Sequence, residues 1–469
     1  MSTQPHTFHS STCNPNPSYV ATTTSLLPFN KSHLTSWNRL KHDSIQFNSP
    51  KLAHKWMQYQ GINNWEGLLD PLDHNLRNEI LRYGQFVEAA YRSFDYDVNS
   101  PTYSTCRYSK TSLLTNSGMK FHADNYRITK NLRATCGFRL PNWFHDISQL
   151  TRVRSSWIGY VAVCTDKNEI ARLGRRDVVI SLRGTATLLE WLENFRATLT
   201  TLPNNIGCGN NNECMVEKGF LSIYVSKTDT CPSLQDMVKE EVRTLIKSYG
   251  DEPLSLTITG HSLGAALAIL SAYDIATSFR IPPLVTVISF GGPRVVNDKF
   301  RSQLEQSGVR ILRIVNSDDV ITKFPGFVEK SDDVEINKGA HVDLLQRWLR
   351  QRVEYMKLVY ADVGQELRLS SRESPYVKSG DIATCHDLKT YLHLVECFVS
   401  SSSPYVKQTR YYPTQSQLND VAGPRFGLIF LLLFLFIMLY ALQEIDSLQG
   451  VLKLQETFVN IISSLIMIA

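Results

Sequence analysis

Hydrophobic residues recur along this chain at two spacings, and their alternation points to a fold class before any motif is considered. Between positions 76 and 94, Leu76, Ile80, Leu81, Phe86, Val87 and Ala90 fall at helical spacing, which predicts a helix with one buried face. Five short runs rich in β-branched residues follow, at 157–163, 177–182, 254–258, 285–290 and 309–315, and each reads as a strand. Helical patterns follow the second, third and fourth of these. Strands that alternate with helices imply a mostly parallel sheet with helical crossovers, an α/β architecture. The Pro-, Gly- and Asn-rich stretch near 203–212 reads as a loop, and no internal repeat is evident.

Within that frame, Gly260, Ser262 and Gly264 stand where the third strand hands over to an alanine-rich helix covering about 265–277. A serine between two glycines at a strand-to-helix turn is the nucleophile elbow: the turn strains the serine backbone and exposes its hydroxyl above the sheet. The context predicts the α/β-hydrolase fold, a mostly parallel sheet flanked by helices, with Ser262 as nucleophile. A serine hydroxyl needs a base to take its proton and a carboxylate to orient that base, in the order serine, acid, histidine in this fold. Asp318 and Asp319 follow the 309–315 strand, and on local grounds either could serve while the other caps the turn. Of the histidines beyond Ser262, His386 opens a helical pattern and could reach across from a loop; His393 reads as packed or surface, and His341 is the competitor. Two donors are expected for the tetrahedral oxyanion: the backbone N–H of Leu263, and Thr185 in the loop after the 177–182 strand, where Gly184 permits a tight turn.

The chain's 469 residues allow one large domain with terminal extensions, or two domains. A net charge of +5 without basic runs argues against nucleic acid as partner and leaves an anionic membrane surface compatible. Nine scattered cysteines, none at C-x-x-C spacing, read as mostly buried reduced thiols, with Cys208 and Cys214 able to pair in an oxidising compartment. The first 42 residues lack Asp and Glu, are rich in Ser and Thr and carry Lys31, Arg39 and Lys41, the composition of an organellar transit peptide. At the other end, the uncharged apolar run 426–442 is slightly short for a ~30 Å hydrocarbon core and could span it, lie in the interface or bury itself. The organisation expected is therefore a transit segment at 1–50, a catalytic domain at 60–400, a linker at 401–425, an apolar helix at 426–442 and a tail at 443–469.

Taken together, Arg183-Gly184-Thr185, Glu217-Lys218-Gly219-Phe220, Gly260-His261-Ser262-Leu263-Gly264, Phe290-Gly291-Gly292-Pro293-Arg294 and Cys385-His386-Asp387-Leu388 resemble the class 3 lipases, specifically the plant plastid-targeted phospholipase A1 group. The resemblance runs from about Trp65 to Leu394. It implies hydrolysis of the sn-1 acyl ester of membrane glycerolipids, such as phosphatidylcholine, galactolipids or triacylglycerol. It also implies a plastid address, a supply of fatty acid for oxylipin (jasmonate) synthesis, and no metal or cofactor. The family's Asn-x-x-Asp pattern selects Asp319 over Asp318, and its His-x-Leu-x-x-Tyr-Leu-His pattern selects His386. Positions 188–208, with Leu188, Leu189, Trp191, Leu192 and Phe195, occupy the place of the family's lid. Val296 stands where the family usually has glycine, which is expected to alter packing beside the acid strand, and the run after about Gly423 lies outside the family pattern. The same-chemistry alternative is a lipase preferring galactolipids or neutral glycerides. A different-class alternative, a catalytically inactive lipase-like signalling module, is argued against by the joint presence of Ser262, Asp319 and His386.

Overall fold

Seven strands form one sheet whose order in space follows the chain. The computed structural model describes residues 50–97, 99–119, 123–135, 155–184, 199–203, 206, 213–280, 282–324, 360–372, 374 and 382–405. Strands β1 (Tyr126–Thr135), β2 (Ser155–Cys164) and β3 (Arg176–Leu182) pair antiparallel. From β3 onward the sheet is parallel, through β4 (Leu254–His261), β5 (Leu284–Phe290), β6 (Arg310–Asn316) and β7 (Gln365–Leu369).

Because every parallel connection steps one strand in the same direction and such connections are right-handed, their helices must collect on one face. The described helices are α1 (Pro50–Tyr59), α2 (His74–Ser93), α3 (Lys167–Leu173), α4 (Lys218–Val225), α5 (Leu234–Tyr249), α6 (Leu263–Ser278), α7 (Asp298–Gln306) and α8 (Leu388–Cys397), besides single-turn segments. Strand alternation sorts the core accordingly. Val178, Ile180, Leu182, Leu256, Ile258, Val285 and Val287 pack with residues of the crossover helices α4 to α7. Val179, Ile288, Phe290, Leu312, Ile314 and Leu367 face α2 and α8 from the two ends of the chain. Helix α6 is buried from Leu263 through Ile275, and its small Ala265, Ala266, Ala268 and Ala272 let it lie close to the sheet.

At the end of β3 and β4 away from Ser262, a closed ion cluster ties α2 to the sheet. Arg82 meets Glu79 at 2.7 Å and Asp177 at 2.8 Å, and Arg175 meets Glu79 at 3.0 Å. Tyr126 and Ser255 donate to Asp177. Two guanidiniums thus balance two carboxylates. Burial alone would raise the Glu79 carboxyl, but Arg82 and Arg175 outweigh it and hold it at about 2.

The five expected strands and the 76–94 helix are present within a few residues of the bounds read from sequence. Strands β1 and β7, the two sheet edges, were not expected. Two readings need correction or completion. Cys214 is disulfide-bonded, so the all-reduced reading fails there; Cys208 lies outside the described residues. Among the free cysteines described, only Cys164 and Cys385 are buried, while Cys106, Cys231 and Cys397 are partly accessible. Val296 is fully buried and bridges Val216 on one side and Ala361 on the other, so the larger side chain is absorbed in a packed seam. All of the expected transit segment but Pro50, which opens α1, most of the 401–425 linker and the whole of 426–469 lie outside the described residues. Among the described residues no helix is long and apolar enough to cross a membrane.

Candidate active site

Residue 262 is the point where β4 ends and α6 begins, and its main chain takes φ 56° and ψ −123°, a region that non-glycine residues avoid. Close packing enforces this. A Cβ on Gly264 would lie 2.4 Å from the Leu182 carbonyl oxygen, and one on Gly260 would lie 2.3 Å from the Gly264 main chain. Only glycine fits on either side of the serine. The Ser262 N–H donates to the Phe290 carbonyl at 3.0 Å, which anchors the turn to β5.

The Ser262 Oγ lies 2.9 Å from His386 Nε2, and His386 Nδ1 lies 2.7 Å from Asp319 Oδ2. Since a carboxylate can only accept, Nδ1 carries the proton and Nε2 is left to accept from the serine hydroxyl. His386 is partly exposed and Asp319 is not exposed at all. The acid is held from two further sides: Tyr391 donates its hydroxyl to the same Oδ2 at 2.7 Å, and the Ile321 N–H donates to Oδ1 at 2.9 Å. Burial and the negative Asp319 push the Tyr391 hydroxyl far above its ordinary range, so it remains a donor.

Asp318 does something else. Its carboxylate accepts from the Ser371 hydroxyl at 2.8 Å and the Arg372 N–H at 3.0 Å, and it pairs with the Arg372 guanidinium at 2.9 Å. Burial works against ionisation, but these donors outweigh it and keep the carboxyl below its usual value. It clasps the segment after β7 and takes no part at the serine. Leu263 is the first residue of α6, so its N–H falls among those that the helix itself leaves unbonded. Thr185 and His341 lie outside the described residues, as does the lid stretch from Leu188 to Phe195; of the expected lid, Leu199–Thr201 pairs antiparallel with Met215–Glu217. His393 sits on α8, about 4 Å from the Cys397 sulfur and apart from the Ser262 constellation.

Residues 179–329 match the family model described as Lipase (class 3). Over 365 residues the chain is 60% identical to phospholipase A(1) DAD1, chloroplastic, of Arabidopsis thaliana, with 77% of this chain and 80% of that protein aligned. This chain belongs to the class 3 lipase family, in its plant phospholipase A1 group. It is 36% identical over 385 residues to phospholipase A1-Igamma1, chloroplastic, covering 78% of this chain and 72% of that one. It is also 37% identical over 355 residues to the galactolipase DONGLE, chloroplastic, covering 73% and 70%; both proteins are from Arabidopsis thaliana.

In this class 3 lipase three residues near the serine escaped the reading of sequence. Tyr391 belongs to the pattern that selects His386 but was given no part in holding the acid. His261, inside the pentapeptide, is buried between two polar partners: its Nδ1 lies 2.8 Å from the Tyr91 hydroxyl and its Nε2 lies 2.7 Å from the His386 carbonyl oxygen. Burial, and then the neighbouring His386, hold it well below the ordinary histidine range, so it is neutral. Tyr91, at the end of α2, had no local signal, because the fold alone brings it 170 residues along the chain to His261.

Proposed function

We propose that this lipase is a plastid acyl hydrolase of the phospholipase A1 type, releasing the sn-1 fatty acid of membrane glycerolipids through Ser262, His386 and Asp319. The observation that carries the reading is the unbroken line of hydrogen bonds from the Ser262 hydroxyl through His386 to a buried carboxylate. In this mechanism His386 Nε2 takes the hydroxyl proton as Ser262 Oγ attacks the ester carbonyl, and Asp319 steadies the imidazolium that forms. The Leu263 N–H at the start of α6, with Thr185 as second donor, would stabilise the oxyanion. His386 then returns the proton to the departing lysolipid alkoxide. Water, deprotonated by the same nitrogen, attacks the acyl-enzyme carbonyl; the bond to Ser262 Oγ then breaks, His386 returns the proton to that oxygen, and the fatty acid leaves.

The substrate class and compartment rest on kinship. The relatives reported above carry phospholipase A1 or galactolipase in their names and are described as chloroplastic, in keeping with the acid-free, Ser/Thr-rich first 42 residues. Ser262 is only 2% exposed, which favours a cover over the site that opens at a lipid surface. A galactolipid preference is the second reading, favoured by the galactolipase relative. Phosphatidylcholine labelled separately at sn-1 and sn-2, assayed beside monogalactosyldiacylglycerol and triolein, tests the proposal. Fatty acid from sn-1 is expected to appear first. Preferential sn-2 release would overturn the A1 assignment, and turnover of galactolipid alone would establish the second reading instead.

A further inference from the structure

Four polar groups from distant parts of the chain form a continuous bridge behind Ser262. The Gly184 N–H donates to the Tyr91 hydroxyl oxygen at 2.8 Å. The Tyr91 oxygen lies 2.8 Å from His261 Nδ1, and His261 Nε2 lies 2.7 Å from the main-chain oxygen of His386. The direction of every bond is fixed by chemistry. A carbonyl oxygen can only accept, so His261 Nε2 carries the proton; the neutral ring then leaves Nδ1 bare, and the tyrosine proton must point to it. Tyr91 accepts from one side and donates to the other.

The two ends of this bridge flank the nucleophile. A Cβ on Gly184 would lie 3.0 Å from the Ser262 Cβ and 2.9 Å from the His261 carbonyl oxygen, so that stretch of main chain rests directly against the serine. Its carbonyl is pinned as well, by the buried Arg183 guanidinium at 2.7 Å. The other end is the backbone of His386, whose ring lies 4.7 Å from that of His261, centroid to centroid. The helix α2, well before Ser262 in the chain, and the single-turn helix Ile382–His386, well after it, thus meet through one imidazole.

We infer that Tyr91 and His261 are positioning residues for the hydrolysis: together they hold the Gly184 main chain and the His386 backbone in register on the two sides of Ser262. The inference rests on the serine-hydrolase reading above. Neither side chain touches the reacting atoms. Their effect is on geometry, and misplacement by about 1 Å at a reacting centre costs about a hundredfold in rate. A side chain that only filled space at position 261 would not need a donor and an acceptor on opposite edges of its ring. Burial keeps His261 neutral, which preserves the acceptor that Tyr91 requires.

The test is steady-state kinetics of the full chain on a soluble p-nitrophenyl ester, with rates expressed per folded molecule. Tyr91→Phe removes both bonds of the hydroxyl; His261→Gln keeps a donor for the His386 carbonyl but withdraws the acceptor from Tyr91. Each is expected to lower kcat about ten- to a hundredfold while KM stays within about twofold. Because both changes break one path, the double variant should be no slower than the slower single variant. His261→Asn, which keeps an acceptor for Tyr91 and gives up the donor to His386, should also slow kcat and serves if Tyr91→Phe does not fold. Wild-type kcat in any of these folded variants, or losses that multiply in the double variant, would overturn the inference. Ser262→Ala separates the two ideas: full activity in that variant defeats the serine-hydrolase reading itself, whatever the Tyr91 variants do.

Discussion

Ser262 holds a backbone conformation that costs about 1–3 kcal/mol, sustained by the β4–α6 junction and by two glycines that no other residue could replace. That strain was legible, because the glycine spacing and the strand-to-helix context both stand in the sequence. The choice of acid was less so. Asp318 and Asp319 are neighbours at a strand end, and the chain turns there so that one carboxylate meets His386 while the other meets Ser371 and Arg372. Local reasoning left both open, and only the family pattern separated them. The difference is measurable in kcat and in urea unfolding. Asp319→Asn should lower kcat by about 10⁴, because the amide can present a donor to Nδ1 and favour the wrong tautomer. Asp318→Asn should leave kcat nearly unchanged and lower stability by about 1–3 kcal/mol.

Helix α4 begins on a carboxyl that is buried and only half satisfied. Glu217 accepts the Phe220 N–H at 2.8 Å with one oxygen, while the other has no hydrogen-bond partner. Burial pushes this carboxyl up to about 7, against an ordinary value of 4.5. The folded protein therefore holds a proton that the unfolded chain releases. Stability from this group is complete below the unfolded value and is lost as pH rises from about 4.5 through about 7, a fall of about 3 kcal/mol. Urea midpoints at pH 5 and pH 8 measure it: Glu217→Gln should remove most of the difference between them, and an equal difference in the variant would show that the decline arises elsewhere. Element by element, the central strands were legible because they are buried on both faces and are dense in β-branched and other apolar residues, interrupted by single Ser, Thr or Arg positions. The edges were not. β1 mixes Arg127, Lys130, Asn131 and Arg133 with its apolar positions, and β7 is Gln-Glu-Leu-Arg-Leu, so charge on an edge strand dilutes the period that a reader looks for.

Across the whole molecule, one sheet separates two apolar cores, with the ion cluster of Glu79, Arg82, Arg175 and Asp177 at one end of β3 and β4 and Ser262 at the other. Helices α2 and α8, one before and one after the sheet strands in sequence, share one face. That placement brings Tyr91 to His261 beside the serine and Tyr391 against Asp319, contacts across 170 and 72 positions that no local pattern encodes. Catalysis by this lipase accordingly depends on the closed domain and not on the pentapeptide alone. The central claim, that Ser262 is the nucleophile of a glycerolipid acyl hydrolase, is tested most directly by fatty acid release from sn-1-labelled phosphatidylcholine, comparing the full chain with Ser262→Ala. Loss of release by about 10³-fold or more in a variant that remains folded is the expected result; release at the wild-type rate would contradict it.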